Sequence, residues 1–388
     1  MISERAKSLP EYPTQVINAR VLELRAKGED IISFGKGETN FDIPEVSKDA
    51  VRKAIEDKFF GYTLVGGIPE LTEAIIHKFK RDNEIDYNKE NIIAATGAQQ
   101  ILYQAFQVLL NPGDEVILPQ PCWNGYPGQI ALSGGVPVYC DILSDYKLTA
   151  ERIRPLITSK TKAIVFNSPN NPTGAMIEKE ELQKIADLAI ERNLFIIADE
   201  VYEFFVYDGA KHTSIASLNE EIKNRAIIVN GVSKTYGMTG WRLGYCGAPA
   251  PIIQAMKRVQ DRITSNPSSL SQKAAIAALY QENSWIQKLA GEFEKKRDLI
   301  YKMILEIPGM KLPEEMKGAF YAYPEISSFY NEDIKNSADF CSRILEEAKV
   351  ALVPGIGFGS GNHIRFAYTT SPEDLKRGME RLQNYLKT

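Results

Sequence analysis

Seven short apolar runs alternate with amphipathic stretches between residues 90 and 250, and this alternation constrains the fold more than any other feature of the chain. The runs are Ile92–Ala95, Glu115–Leu118, Val136–Cys140, Ala163–Phe166, Phe195–Ala198, Ala226–Val229 and Gly244–Gly247. Helix-like segments lie between and after them: Gln99–Leu110, Glu178–Arg192 and Pro251–Arg262. Within the second of these, Leu182, Ile185, Ala186, Leu188 and Ala189 recur at helical spacing. Strand and helix in alternation predict an α/β fold with a large domain, a mostly parallel seven-stranded sheet flanked by helices. Such sheets bind ligands outside the carboxyl ends of their strands.

The pattern changes beyond Gln281. A long Lys- and Glu-rich helix is expected over Ser284–Met303, short strands at Gly318–Tyr323 and Ile364–Tyr368, and helices at Ser337–Glu347 and Pro372–Leu386. These form a smaller α+β domain. The start of the chain supplies a helix (Asn18–Lys27), a strand (Ile31–Phe34) and Gly35-Lys36-Gly37-Glu38, read as an arm that joins the smaller unit and crosses the edge of the site. The expected division is therefore 1–45 for the arm, 46–283 for the large domain and 284–388 for the small one.

With 388 residues the chain is long enough for two cores. Its net charge of -4 gives no basic field to recruit nucleic acid. No run of 18 apolar residues suggests a membrane helix, and the opening Met1-Ile2-Ser3-Glu4-Arg5-Ala6-Lys7 lacks a signal-like apolar core. Cys122, Cys140, Cys246 and Cys341 form no C-x-x-C pair, and His77, His212 and His363 have no metal-ligand spacing. The expectation is a cytoplasmic protein with buried thiols and no metal.

Residues with convergent chemistry stand at the ends of the apolar runs. Lys234 follows Ala226–Val229 among small neighbours, and Arg242 comes eight residues later. A lysine in such a pocket loses its proton readily and attacks carbonyl carbon. An arginine holds phosphate by two parallel hydrogen bonds. An amine that captures an aldehyde beside a phosphate clamp points to pyridoxal 5'-phosphate (PLP).

Other strand ends suit the same ligand. Asp199 closes Ile196-Ile197-Ala198, where a carboxylate is costly unless paired; a protonated pyridine nitrogen is one partner, and a helix cap is the alternative. Tyr202, three residues on, can donate to a phenolic oxygen. The stiff loop Asn167-Ser168-Pro169-Asn170-Asn171-Pro172-Thr173-Gly174 can aim the Asn171 amide. Gly97, Ala98 and Gln99 open a helix whose free N–H groups suit phosphate, although an ordinary strand–helix turn looks the same. Ser233 can bind phosphate beside Arg242. Trp123 is either a core indole or a stacking face, and Arg365, within Ile364-Arg365-Phe366, is either solvent-facing or a fork for a carboxylate. The glycine-rich Gly355–Gly361 is followed by a strand, so it fails as a dinucleotide loop.

Over essentially its whole length the chain resembles the class I, aspartate-aminotransferase-like PLP-dependent aminotransferases of fold type I. Ser168–Gly174, Ala198-Asp199-Glu200-Val201-Tyr202 and Ser233-Lys234 through Arg242 carry the resemblance in order and spacing. It implies that Lys234 is joined to the cofactor and shuttles a proton, and that Asp199 pairs with the pyridine nitrogen. It places Asn171 and Tyr202 at the phenolic oxygen, Trp123 on the ring, and Gly97, Ala98, Ser233 and Arg242 at the phosphate. By the same resemblance, Gly37 and Arg365 would hold the substrate α-carboxylate. The family is a homodimer with a shared site, in which Tyr62 matches a tyrosine reaching the neighbouring subunit's phosphate.

Two positions depart from the pattern. Gly231 stands where some relatives have serine, and Gln99 stands where aspartate-using members often carry a lysine for the second carboxylate. A charge-assisted bond is about twice as strong as a neutral one, so the donor, aspartate, aromatic or other, stays open. The expected activity is ping-pong transfer of an amino group from an L-amino acid to a 2-oxo acid such as 2-oxoglutarate. The alternatives are a PLP-dependent β-lyase or elimination enzyme on the same fold, and a non-catalytic amino-acid sensor.

Overall fold

The computed structural model describes residues 2–7, 9, 13–313 and 316–387. After a short β1 (Ile32–Ser33), the seven apolar runs become β2 (Ile92–Ala95), β3 (Glu115–Gln120), β4 (Val136–Asp141), β5 (Thr161–Asn167), β6 (Phe195–Asp199), β7 (Ala226–Gly231) and β8 (Gly244–Gly247). They form one sheet of order β2-β8-β7-β6-β5-β3-β4. Pairing is parallel from β7 through β4, and β8 runs antiparallel to both its neighbours. The mostly parallel seven-stranded sheet expected from the sequence is the one observed.

The central strands are apolar on both faces because both faces are covered. Ile164, Phe166, Ile196, Ala198, Ala226 and Ile228 pack on one side with Leu182, Ile185 and Ala189 of the helix Lys179–Glu191. Ala163, Val165, Ile197, Ile227 and Val229 pack on the other, with Ile101 and Ala105 of Ala98–Leu109 and Ile253 and Met256 of Ala250–Ile263. A side-chain period of two sends alternate residues to opposite cores.

The carboxyl edge of this sheet is the important one. β5, β6 and β7 end there, and Ala95 at the end of β2 pairs with Gly244 at the start of β8. A Cβ at Gly244 would lie 2.1 Å from the Ala98 nitrogen. Glycine at 244 therefore lets the helix after β2 begin hard against the sheet, which delivers its N-terminus to that edge.

A second group of elements completes the structure: β9 (Tyr321–Ala322), β10 (Val350–Ala351), β11 (Val353–Pro354), β12 (Ile364–Ala367) and the helices Asn283–Leu305, Ser337–Glu347 and Pro372–Lys387. β11, β12 and β9 form an antiparallel sheet, and β1 pairs in parallel with β10. The Ala367 N–H donates to the Phe34 carbonyl at 2.8 Å. Ile32, Phe34, Phe293, Ile300, Ile344, Phe366 and Leu375 share a core that also takes Val201, Tyr202 and Phe205. The chain thus changes core directly after Asp199, at the seam between the two.

Two expected elements differ. The strand foreseen at Gly318–Tyr323 shrinks to Tyr321–Ala322, because Ala319 turns the chain with φ +55°. The first long helix runs Pro13–Ala26, starting earlier than expected; proline fits a first helical turn. No helix among the described residues is long and apolar enough to cross a membrane.

Candidate active site

The ends of β5, β6 and β7, the N-terminus of Ala98–Leu109, the Lys36–Glu38 stretch and Arg365 of β12 enclose a cavity of about 840 Å³. Every residue singled out from the sequence lines it except Gly97 and Tyr62.

Asp199 ends β6 with 6% of its surface exposed. Burial raises its carboxyl to about 6, against the opposing effects of a 2.6 Å hydrogen bond from Tyr126 OH and a weaker one from the Val201 N–H. Among the described residues no basic group lies within ion-pair distance of it. The adjoining β5 end is tied in: Asn167 Nδ2 donates to the Asp199 carbonyl at 2.8 Å, and Asn167 Oδ1 accepts from the Asn171 N–H at 2.8 Å. The proline-bounded loop is thereby anchored to the same strand ends.

Lys234 follows β7 and donates from Nζ to the Gly37 carbonyl at 2.8 Å. Burial lowers its ammonium to about 8, with Glu38 acting in the opposite direction. A Cβ on Gly37 would stand 2.6 Å from Tyr321 OH, so glycine lets the arm come this close. Tyr321 OH in turn shares a 2.8 Å hydrogen bond with Tyr202 OH.

Arg365 is 4% exposed. Its Nη1 donates to Asn171 Oδ1 at 3.0 Å and its Nη2 to the Gly35 carbonyl at 2.9 Å. The guanidinium lies between the rings of Tyr321 and Phe358, at 4.6 and 5.0 Å, an arrangement that favours a desolvated cation. Its Nε is buried without a partner. No carboxylate pairs with it among the described residues. A buried guanidinium in this condition is costly until an anion arrives.

The phosphate-sized end of the cavity is built from backbone and one cation. Ala98 and Gln99 open their helix after Gly97, with no side-chain cap. Arg242 adopts φ +52° and donates from Nη1 to the Thr239 carbonyl at 3.1 Å. Its guanidinium lies against Gly97, where a Cβ would be 2.8 Å from Nη2. Ser233 lines the same cavity. Free N–H groups, a helix dipole and a guanidinium together make an anion site.

His212 does have carboxylate neighbours, which its place in the sequence did not disclose: its ligand atoms and those of Glu200 and Glu203 lie within 4.8 Å of one another. The group already holds one cation of its own. Lys78 pairs with Glu203, which also accepts from Asn83 at 2.6 Å and Asn230 at 2.7 Å, while Glu200 accepts from Ser214 at 2.8 Å and faces His212 at 3.3 Å. A lysine occupies the role of a cation there, and the network ties the segment after Asp199 to β7.

Trp123 lines the cavity and meets the edge of Tyr126 at 5.2 Å. Tyr62 is not brought to the cavity of its own chain; it is 94% exposed, near exposed Phe60 and Leu64. Sequence reasoning missed Tyr126, Tyr321, Asn167, Phe358 and Lys36. For Tyr126 a signal existed, since it follows Trp123 by three residues at the start of a helix. For the others no local pattern marks them.

These features fit the cofactor implied by the resemblance. A buried carboxylate near 6 without a basic partner suits a pyridinium nitrogen, an amine near 8 suits an aldehyde, and the helix terminus with Arg242 suits a phosphate.

Comparison with known proteins agrees. A family model described as aminotransferase class I and II matches residues 29–382. An aspartate aminotransferase of Bacillus sp. (strain YM-2) is 43% identical over 100% of this chain and 99% of its own. The crystal structure of the aspartate aminotransferase from Rhizobium meliloti superposes with a TM-score of 0.95 at 37% identity, covering 100% of this chain and 99% of that one. An aromatic aminotransferase from Pyrococcus horikoshii OT3 gives 0.87 at 37% identity, covering 95% and 98%.

Proposed function

The chain belongs to the class I and II aminotransferase family and is a PLP-dependent aminotransferase; we propose that its donor is an acidic L-amino acid, aspartate foremost, and its acceptor 2-oxoglutarate. The observation that carries the site assignment is the buried Arg365 guanidinium without an acid, near an amine at Lys234 already drawn toward neutrality. The names of the Bacillus and Rhizobium relatives support aspartate.

When bound, PLP supplies an aldehyde for the amino group and a ring that withdraws electrons from the α-carbon. The remaining work belongs to the chain. Arg365 holds the α-carboxylate through its unused donors, with Asn171 and Gly35 fixing the plane of the fork. Lys234 Nζ, drawn toward neutrality by burial, would remove the α-proton and redeliver it. Asp199, once ionised, would pair with the ring nitrogen and keep it protonated. Tyr126 OH orients the Asp199 carboxylate, and Tyr202 and Asn171 would donate to the phenolic oxygen. Gly97, Ala98, Gln99, Ser233 and Arg242 would hold the phosphate, Trp123 would stack on the ring, and Gly37 would join Arg365 at the substrate α-carboxylate.

The same reading divides the chain at about residues 45 and 283, and makes the enzyme a cytoplasmic homodimer in which Tyr62 completes the partner's phosphate site. Exposed Phe60, Tyr62 and Leu64 on one segment support an interface there. Size measurement should return a dimer, and an active monomer would remove Tyr62 from the site.

Substrate recognition is tested by Arg365→Lys. A lysine cannot reproduce the fork, so KM should rise about tenfold or more for every amino acid; unchanged KM values would reassign the clamp. Transamination itself is tested by mixing the holoenzyme with amino acid alone. Conversion of the cofactor to its amine form without ammonia release is expected, whereas ammonia with pyruvate would indicate elimination.

A further inference from the structure

Gly35-Lys36-Gly37 passes along the cavity wall with three successive carbonyls engaged. Gly35 accepts from Arg365 Nη2 at 2.9 Å, Lys36 from Thr369 Oγ1 at 3.1 Å and Gly37 from Lys234 Nζ at 2.8 Å. The backbone of Lys36 is thus fixed one residue from the contact to the proposed carboxylate clamp and one residue from the contact to the reactive amine. Its side chain lines the cavity and is exposed. It has no ion-pair partner among the described residues.

Four cations line this cavity: Lys36, Lys234, Arg242 and Arg365. In the function proposed above, three of them are committed to aldehyde, phosphate and α-carboxylate. Lys36 alone has no assigned anion. Two acids also line the cavity, Asp199 and Glu38. Glu38 is the strongest charge opposing the fall in the Lys234 amine. Gln99, which also lines the cavity, is neutral and offers an amide only.

We infer that Lys36 is the specificity-determining residue for dicarboxylic substrates, its ammonium receiving the second carboxylate of an amino or oxo diacid whose first carboxylate rests on Arg365. The inference rests on the transamination reading and deepens it. A ping-pong enzyme that takes aspartate in one half-reaction and 2-oxoglutarate in the other must bind chains differing by one carbon in a single site. A rigid guanidinium fork suits one length. An ammonium on a flexible four-carbon stem can follow both.

The test is single-turnover kinetics of the holoenzyme with aspartate, glutamate, alanine and phenylalanine, comparing the wild type with Lys36→Ala and Lys36→Arg. A charge-assisted hydrogen bond at a partly exposed site is expected to contribute about tenfold. In Lys36→Ala, kcat/KM for aspartate and glutamate should fall about tenfold, mainly through KM, with alanine and phenylalanine within about twofold. Lys36→Arg should recover most of the loss for at least one diacid. Added salt should erode the wild-type preference for diacids and leave Lys36→Ala indifferent. Equal losses on alanine and aspartate would make Lys36 a wall residue and overturn the inference, as would diacid kinetics that do not change. If the wild type converted its cofactor with no amino acid at all, the transamination reading would fail and this inference with it. Ready conversion by alanine, with Lys36→Ala unchanged on diacids, would sink the inference alone.

Discussion

Lys234→Ala should yield a folded protein that lacks the visible absorption of the bound cofactor and turns over at least about 10⁴-fold more slowly than the wild type. Two functions end with one side chain: the covalent attachment and the proton carrier. Folding should survive, because among the described residues the Lys234 side chain makes one hydrogen bond, to the Gly37 carbonyl, and removing a desolvated amine relieves a cost. The wild type should show the corresponding pH dependence. With the ammonium lowered to about 8, the neutral nucleophilic form grows as pH rises through that value. The rate of PLP uptake by cofactor-free enzyme should therefore increase from pH 7 to 9 and level off above it. A visible band retained by Lys234→Ala would remove the residue from its assigned role.

Asp199→Asn should lower kcat by about 10³-fold while stabilising the cofactor-free protein. On the proposed reading the catalytic loss follows from removing the charge that holds the ring nitrogen protonated. The stability gain follows from burial. Asp199 titrates near 6 in the fold, against 3.8 for the unperturbed group. Between those values the folded state binds more protons than the unfolded one, so stability falls as pH rises across the window. Above about pH 6 the cofactor-free wild type carries the full penalty, on the order of 3 kcal/mol, and Asp199→Asn is free of it. Thermal melting of both cofactor-free proteins at pH 4.5 and 7.5 checks this. The variant's advantage should be larger at 7.5, and a variant less stable than the wild type at 7.5 would contradict it.

How much of this could be read from the chain depended on how locally each feature is encoded. β5, β6 and β7 were legible because buried parallel strands are short β-branched runs, and Asn167, Asp199 and Gly231 mark their ends. Lys234, Asp199 and Asn171 were legible because each stands directly after such a run. Arg365 was ambiguous, since its strand alternation fits a solvent-facing side chain; the Tyr321 and Phe358 rings that bury it come from elsewhere in the chain. Tyr126 approaches Asp199 across 73 positions and Tyr202 meets Tyr321 across 119. No periodicity records such meetings. Lys36 was hidden by its setting, two glycines in an irregular arm, where nothing local separates a surface lysine from one lining a cavity. Tyr62 shows the opposite limit: the resemblance gives it a role that a single chain cannot fulfil.

The attachment of the cofactor to Lys234 can be tested directly by reducing the PLP-loaded enzyme with borohydride and locating the modified lysine by peptide mass spectrometry. One pyridoxyl group per chain is expected, on the peptide carrying Ser233-Lys234-Thr235. A label on Lys36 or any other lysine, or no label on a protein that has taken up PLP, would contradict the assignment.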